Sequence, residues 1–241
     1  MKEFCKDKLT SEDVAYLIDA STLKIDTTYA DVDNLIASSK KYGFGCAFAW
    51  PAYSEYLGKA LKGTKTAFGT SLSFPSGQEP TIIKVRQAEY FISLGADEVD
   101  MVMNVGWLKS RRFKETEDDI RAVRKACGDT SLKVIIEAML LTDEEITDAC
   151  KVVVAAGADY AKSGTGFSAA PSTCHHVDVM KAAVGDDIKI KVAGGVRDLA
   201  TLLKMYKHGA NRFGIGLAPS CAIMEEALAY PGIIDIDTIK E

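Results

Sequence analysis

The amino-acid sequence predicts a (β/α)₈ barrel, the TIM-barrel fold, with residues 1–241 forming a single domain. The length of 241 residues suits one large α/β domain, and 47% of the residues are hydrophobic, enough for a substantial core. Short β-rich runs alternate with helical patterns along the chain, and no Pro/Gly/Ser-rich linker interrupts them. An open doubly wound sheet shows the same alternation. Eight evenly spaced units without Gly-x-Gly-x-x-Gly after the first strand favour the closed barrel.

The eight predicted strands are mostly continuous apolar runs, as expected where both faces of a parallel sheet are covered. In chain order they are Val14–Asp19, Gly45–Ala49, Thr66–Ser71, Glu98–Met103, Leu132–Glu137, Tyr160–Lys162, Ile188–Val192 and Arg212–Ile215.

Helix signals lie between these strands. Thr142 and Glu145 form a capping-box pattern ahead of an apolar stripe, and a helix is predicted from near Pro80 to Gly95. Asp198 is positioned to cap the helix that follows it.

A weak internal repeat supports the same architecture. Gly95-Ala-Asp97, Gly157-Ala-Asp159 and Gly209-Ala-Asn211 each follow a predicted helix and precede a strand. They stand about two βα units apart, before strands four, six and eight. We therefore expect the same turn at three places around the barrel.

Composition excludes several classes of function. The chain has 29 Lys and Arg against 34 Asp and Glu, a formal charge of -5, which argues against a nucleic-acid partner. No apolar run approaches the ~20 residues that span a bilayer, and Met1 to Leu9 lack the apolar stretch of a signal peptide. We expect a cytoplasmic protein without a membrane partner.

The six cysteines are widely spaced, which indicates free thiols in a reducing compartment. They are Cys5, Cys46, Cys127, Cys150, Cys174 and Cys221. His175 and His176 adjoin Cys174, but adjacent side chains rarely converge on one ion, so no metal is expected.

Three reactive side chains are predicted at the ends of otherwise apolar strands, where the catalytic residues of barrel enzymes gather. They are Asp100, Lys162 and Lys191. Any one of them could be a solvated loop residue. All three together indicate a functional site, because burying unpaired charges costs several kcal/mol.

Two lysines on adjacent strands have a specific chemical consequence. A lysine with its ordinary pKa of about 10.4 is protonated at neutral pH and is no nucleophile. A second ammonium in a partly desolvated barrel mouth lowers that pKa, so that Lys162 can attack a carbonyl as the free amine and form an imine. The protonated imine is an electron sink for making or breaking a carbon–carbon bond, and Asp100 can move the protons.

Several motifs together resemble the deoxyribose-phosphate aldolase family. They are Ile18-Asp-Ala-Ser-Thr-Leu-Lys24, Phe74-Pro-Ser-Gly77, Gly95-Ala-Asp-Glu-Val-Asp-Met-Val102, Val134-Ile-Ile-Glu137, Ala158-Asp-Tyr-Ala-Lys-Ser-Gly-Thr-Gly-Phe167 and Lys191-Val-Ala-Gly-Gly-Val-Arg197. They occur in family order from about residue 17 to residue 216, and an ordered set of this length is a specific signal.

The resemblance implies a class I aldolase that reversibly cleaves 2-deoxy-D-ribose 5-phosphate to acetaldehyde and glyceraldehyde 3-phosphate, without metal or other cofactor. It makes Lys162 the Schiff-base lysine, Lys191 the residue that lowers its pKa, and Asp100 part of a proton relay. Residues near the substrate would be Asp19, Ser21, Lys133 and Thr165. Residues that bind the phosphate would be Gly166, Gly194, Gly195, Arg197, Gly214 and Gly216.

The sequence departs from the family where the substrate should bind. Ser163-Gly164 replaces the usual Thr-Ser, and Gly214-Ile-Gly-Leu217 lacks a usual pair of serines. Phe48 stands for a family cysteine and Ala20 for a family histidine. Each lost hydroxyl removes a phosphate donor worth about 1 kcal/mol, and Arg197 is equally suited to a surface role.

Three alternatives therefore stay open. The same imine chemistry could act on another carbonyl compound, without phosphate. The barrel could be a non-catalytic binder of a phosphorylated metabolite, although a binder needs no coupled lysine pair. A phosphate-binding isomerase is more remote, because it needs no imine lysine.

A homodimer is compatible with the fold, but no stretch of sequence identifies an interface.

Overall fold

The computed structural model describes residues 7–236 and shows a closed barrel of eight parallel strands. Strand β1 (Lys8–Leu9) pairs antiparallel with β10 (Ile234–Asp235) outside the barrel. The barrel strands, hydrogen-bonded in chain order, are β2 (Ile18–Thr22), β3 (Cys46–Ala49), β4 (Ala67–Leu72), β5 (Glu98–Val102), β6 (Ser131–Ile135), β7 (Tyr160–Lys162), β8 (Lys189–Ala193) and β9 (Arg212–Gly216). The predicted fold class is confirmed.

Ten α-helices lie in the described range, and most of them connect successive barrel strands. They are α1 (Ser11–Leu17), α2 (Tyr29–Tyr42), α3 (Ser54–Leu61), α4 (Thr81–Ser93), α5 (Val105–Lys109), α6 (Phe113–Cys127), α7 (Asp143–Ala155), α8 (Cys174–Val184), α9 (Leu199–Lys207) and α10 (Leu217–Ala229). Within residues 7–236, no helix combines the length and the apolarity that crossing a membrane requires. Of the cysteines named above, Cys5 lies outside the described range.

The first strand was predicted too early. Residues 14–17, expected to open it, belong to α1, and β2 begins at Ile18. Thr10 and Asp13 form a capping box that starts the helix, and Val14 and Leu17 then point into the core. A short apolar run does not distinguish a buried strand from a buried helix, so only the capping residues carried the right signal.

The predicted helix signals are confirmed. Thr142 and Glu145 form a reciprocal capping box at the start of α7, and Asp198 accepts a hydrogen bond from the N–H of Thr201 at 2.7 Å at the start of α9. Pro80 precedes α4, and Gly95 follows it with φ 84°, a conformation that glycine adopts without strain.

The repeated turn has a structural explanation. The side chains of Asp97, Asp159 and Asn211 each accept a hydrogen bond from a backbone N–H on the preceding barrel strand, at 2.8 to 2.9 Å. The donors are Phe68, Leu132 and Ile190. The carboxylate or amide thus completes the strand pairing just before β5, β7 and β9 begin.

Candidate active site

Two lysines and a carboxylate meet inside the barrel. Lys162 on β7 and Lys191 on β8 are paired in register, so both side chains enter the interior side by side. The Nζ atoms of both lysines lie 2.7 Å from Oδ2 of Asp100 on β5. The three residues predicted to be catalytic are therefore in direct contact, although they come from three separate strands.

The positions of these residues along their strands differ in part from the prediction. Lys162 ends its strand, but Asp100 and Lys191 lie in the middle of β5 and β8 rather than at the ends. Lys162 is 6% exposed, Lys191 1% and Asp100 0%. A solvated-loop role is thereby excluded for all three, and Lys162 is the member nearest the opening.

Asp19 and Lys133 extend this charged group deeper into the barrel, away from the mouth. Oδ2 of Asp19 lies 2.6 Å from Nζ of Lys191 and 3.3 Å from Nζ of Lys133. Lys133 is completely buried and also bonds to the carboxylate of Glu98. Lys133, which the family resemblance placed near the substrate, thus lies inside the barrel in contact with carboxylates.

Glu98 and Arg212 complete this charged group, and the sequence analysis did not identify them. Arg212 bonds to Asp19, and its Nη1 lies 3.3 Å from Oε1 of Glu98. Each residue begins its strand, where a charge is easily taken for a loop residue. The available signal was the two-residue period of a strand, which puts Glu98 on the same inward face as Asp100.

Burial and neighbouring charges change the protonation of the group. Burial, followed by the ammonium of Lys191, lowers the pKa of Lys162 to about 8, while Asp100 opposes the change. Burial acts to raise the pKa of Asp100, but Lys162, Lys191 and Lys133 outweigh it and lower that pKa to about 2. Burial therefore contributes more to the lowered pKa of Lys162 than the second lysine does.

A cavity of about 820 Å³ opens above this group at the carboxyl ends of β2, β8 and β9. Eight residues predicted to bind substrate or phosphate line it, namely Ser21, Thr165, Gly166, Gly194, Gly195, Arg197, Gly214 and Gly216. Lys24, which the sequence analysis did not identify as a site residue, lines it as well. The cavity therefore combines two cationic side chains, Lys24 and Arg197, and one carboxylate, that of Asp31, with closely approachable backbone.

The backbone that lines the cavity is accessible to a ligand. Gly194 and Gly195 have φ values of 90° and 95°, a region that L side chains rarely adopt. Gly216 precedes the first turn of α10, whose free N–H groups and positive dipole end favour an anion. The hydroxyl of Ser220 donates to the carbonyl oxygens of Ile215 and Gly216 and is not among the cavity-lining groups.

The departures from the family pattern are accommodated by packing. The ring centroid of Phe48 lies 4.2 Å from Nζ of Lys191, a cation–π contact in the interior. A Cβ at Gly69 on β4 would lie 2.4 Å from that ring, so the small residue makes room for the large one. A Cβ at Gly164, two residues after Lys162, would lie 2.3 Å from Cε of Met139, so a larger residue there requires the methionine side chain to move.

An aromatic cluster joins opposite sides of the barrel mouth. Phe167, after β7, lies edge-on to Trp50 and Phe74, with ring centroids 5.9 and 5.4 Å apart. Trp50 follows β3, which is diametrically opposite β7 in the barrel. The loop after Lys162 is also held by Glu137, which accepts hydrogen bonds from the N–H of Thr165 and the hydroxyl of Ser168. The Trp50 ring therefore packs against the loop that follows Lys162.

One group of potential metal ligands lies in the described part of the chain. Ligand atoms of Asp19, Cys46 and Glu98 lie within 4.8 Å of one another. Both carboxylates are already bonded to Lys133 and Arg212, and burial raises the pKa of the Cys46 thiol well above its ordinary value. This donor set does not fit a cation, which would have to displace two buried basic side chains.

A buried lysine of lowered pKa below a glycine-rich cavity at the mouth of a parallel barrel is suited to an enzyme that handles carbonyl compounds through an imine. Comparison with known proteins gives the family. Residues 13–219 match the model of the DeoC/LacD family aldolases. The chain belongs to this family.

Individual relatives support the assignment to this family. A deoxyribose-phosphate aldolase from Streptococcus equi subsp. zooepidemicus is 42% identical over 215 residues, which cover 89% of this chain and 97% of the relative. A structure from Coccidioides immitis, assigned to the same aldolases, superimposes with a TM-score of 0.87 at 34% identity and covers 91% of this chain and 87% of its own. The tetrameric deoxyribose phosphate aldolase from Aeropyrum pernix gives a TM-score of 0.81 at 25% identity, with 91% and 93% coverage.

Proposed function

We propose that this protein is a deoxyribose-phosphate aldolase, which reversibly cleaves 2-deoxy-D-ribose 5-phosphate to acetaldehyde and glyceraldehyde 3-phosphate through a Schiff base on Lys162. The observation that carries the proposal is the contact of buried Lys162 with Asp100, beside Lys191. With a pKa of about 8, a useful fraction of Lys162 is the free amine near neutral pH.

The chemistry proceeds from this amine. Lys162 Nζ attacks the C1 carbonyl of the open-chain sugar, and loss of water leaves a protonated imine. A base removes the proton of the C3 hydroxyl, the C2–C3 bond breaks, and its electron pair moves into the imine to give an enamine and free glyceraldehyde 3-phosphate. Protonation of the enamine at C2 and hydrolysis then release acetaldehyde and restore the amine.

Asp100 is the proposed proton carrier. Its lowered pKa keeps it ionised and able to accept a proton. Among residues 7–236, its Oδ1 has no hydrogen-bond partner although it is buried, whereas Oδ2 contacts both lysines. Lys191, 2.7 Å from Oδ2, can return the proton that the enamine needs.

The cavity at the mouth is the proposed phosphate site. The N-terminus of α10, the backbone at Gly194 and Gly195, and the side chain of Arg197 offer positive potential there. The lost family hydroxyls, with Leu217 at the cavity edge, favour one competing function, the same imine chemistry on a carbonyl compound without phosphate.

Steady-state kinetics distinguish the two functions. The release of acetaldehyde is measured with 2-deoxyribose 5-phosphate and with 2-deoxyribose under the same conditions. We expect kcat/KM to be at least about 100-fold higher for the phosphorylated sugar, since charge-assisted contacts to phosphate contribute a few kcal/mol. Equal values would favour the non-phosphorylated substrate, and no turnover of either sugar would contradict the proposed reaction.

We further propose a cytoplasmic location and a homodimer. The five cysteines in the described range are free thiols, which suits a reducing compartment. The Aeropyrum relative is tetrameric, and tetramers of dihedral symmetry are built from dimers. Sedimentation velocity over a range of concentrations tests the dimer, and a monomer throughout that range would refute it.

A further inference from the structure

Glu98 and Arg212 form an ion pair across the inside of the barrel. They begin β5 and β9, which are diametrically opposite strands, and Nη1 of Arg212 lies 3.3 Å from Oε1 of Glu98. Each is also bonded to the group beneath Lys162, because Glu98 accepts a hydrogen bond from Lys133 and Arg212 donates one to Asp19. The reaction proposed above gives neither residue a part.

The described interior holds more cations than anions. Asp19, Glu98 and Asp100 supply three negative charges. Lys133, Lys162, Lys191 and Arg212 supply four positive charges when all are protonated. Such a group is electrically neutral only when one lysine has lost its proton, and burial makes an unbalanced charge costly.

The contacts distinguish Lys162 from the other cations. Lys191 contacts two carboxylates, Asp19 and Asp100, at 2.6 and 2.7 Å. Lys133 contacts the same two carboxylates and Glu98. Lys162 contacts only Asp100 among the described residues. It is therefore the cation with the least compensation.

We propose that Glu98 and Arg212 are positioning residues, which hold Lys133 and Asp19 from the base of the barrel so that Lys162 remains the cation with a single carboxylate partner. Without Glu98, the ammonium of Lys133, already 3.8 Å from Oδ1 of Asp100, would turn towards Asp100 and compete with Lys162. Without Arg212, Asp19 would lose a cationic partner and attract the lysines more strongly. The two residues thus act on Lys162 in opposite directions.

The groups that face this interior come from most of the barrel strands. They are Asp19 on β2, Cys46 on β3, Glu98 and Asp100 on β5, Lys133 on β6, Tyr160 on β7, Lys191 on β8 and Arg212 on β9. Lys189, which begins β8, also faces Glu98 and Arg212, but it is only half-buried, so solvent screens its charge and it is not counted with the buried group. Burial raises the pKa of Cys46 and raises that of Tyr160 to about 12, so both stay neutral across the range in which Lys162 titrates. In that range, the charge balance therefore depends on the seven charged residues.

Competitive labelling with acetic anhydride tests the inference. The acetylation rate of Lys162 is followed by peptide mass mapping from about pH 6 to pH 10, and its midpoint reports the protonation of the amine. Substitution Glu98→Gln should move the midpoint down, and Arg212→Gln should move it up, each by roughly half a pH unit or more. The double variant keeps one cation in excess, so its midpoint should return to near that of the wild type.

Two control variants separate positioning from general damage. Arg212→Lys keeps the charge and should give a midpoint near that of the wild type. Asp119→Asn breaks a fully buried ion pair with Lys84 between α4 and α6, outside the barrel, and should leave the midpoint in place. Midpoints that stay fixed in both single variants, or move in the same direction, would overturn the inference.

The inference rests on the proposed function, yet the experiment separates the two. Labelling uses no substrate, so the midpoints are measured even in a protein that does not cleave the sugar. An active wild type with unmoved midpoints would refute the positioning role alone. If one single variant does not fold, the double variant and the other single variant suffice. Equal midpoints in the double variant and the remaining single variant would contradict the proposal. A midpoint that differs from that of the wild type only in the single variant would support it.

Discussion

The barrel interior and the barrel mouth interact with charged groups in different ways. In the interior, the residues around Lys162 are side chains in direct contact, almost completely buried, and each substitution there changes a charge balance. At the mouth, the cavity lining includes five glycines and two exposed cations, Lys24 and Arg197, among apolar and small polar residues. In the proposed function, the interior sets the reactivity of the amine, and the mouth selects the substrate that reaches it.

This difference predicts how the two regions respond to mutation. Because buried charges compensate one another, substitutions in the interior should affect the chemical step and its dependence on pH. Contacts at the mouth are solvated and partly redundant, so substitutions there should change KM and the preference for phosphate. A variant at the mouth that shifted the pH profile would contradict this division.

The largest effect is expected for Lys162→Ala. Removing the amine removes the imine, so kcat for cleavage of 2-deoxyribose 5-phosphate should fall by on the order of 10⁴-fold or more. Lys151→Ala, at an exposed position of α7, is the matched control and should keep wild-type activity. Substantial residual turnover at every pH would exclude the Schiff base on Lys162.

The next effect is expected for Lys191→Leu. The ammonium of Lys191 lowers the pKa of Lys162, so its removal should raise that pKa and leave less free amine at neutral pH. We expect kcat/KM at pH 7 to fall about 100-fold and to recover in part as the pH rises above about 9. A pH–rate profile checks this, with Lys191→Arg as the variant that keeps the charge. A uniform loss at all pH values would contradict the effect of Lys191 on the pKa of Lys162 and leave only its proposed role as proton donor.

A smaller effect is expected for Arg197→Ala at the mouth. The guanidinium lines the proposed phosphate cavity, so KM for 2-deoxyribose 5-phosphate should rise about 10-fold, with kcat and the pH profile little changed. Turnover of 2-deoxyribose is the internal control and should not change. An equal loss for both sugars would place Arg197 outside the phosphate site.

The smallest effect is expected for Leu217→Ser, which introduces a hydroxyl at the edge of the cavity. KM for the phosphorylated sugar should fall a few-fold, because one further hydrogen bond contributes about 1 kcal/mol. Leu217→Ala removes the bulk without adding a donor and separates the two effects. If both variants improved binding equally, steric relief would explain the result rather than the hydroxyl.

Much of the mouth and only part of the interior could be predicted from the sequence. Glycines such as Gly194 and Gly195 follow an apolar strand directly, so their place above the barrel follows from the fold. The contact between Asp100 and Lys162 follows from two inward-facing residues on different strands. Glu98 and Arg212 could not be assigned by the same reasoning, because a charge at the first position of a strand resembles a solvated turn.

The pKa of Lys162 shows a second limit. The sequence indicates that Lys191 is a neighbour, but it does not indicate how far solvent is excluded, and burial is the larger cause of the lowered pKa. The early placement of the first strand has a similar origin, since the buried faces of α1 and of a strand have the same apolar composition. Both differences concern burial, which depends on the packing of distant segments.

Borohydride trapping at Lys162 tests the central claim most directly. The protein is incubated with acetaldehyde or with 2-deoxyribose 5-phosphate, reduced, and mapped by mass spectrometry of its peptides. The account predicts a stable adduct on Lys162 with either compound, and only the slow background labelling of exposed lysines in the Lys162→Ala variant under the same conditions. Adducts confined to exposed lysines, with Lys162 unmodified, would contradict it.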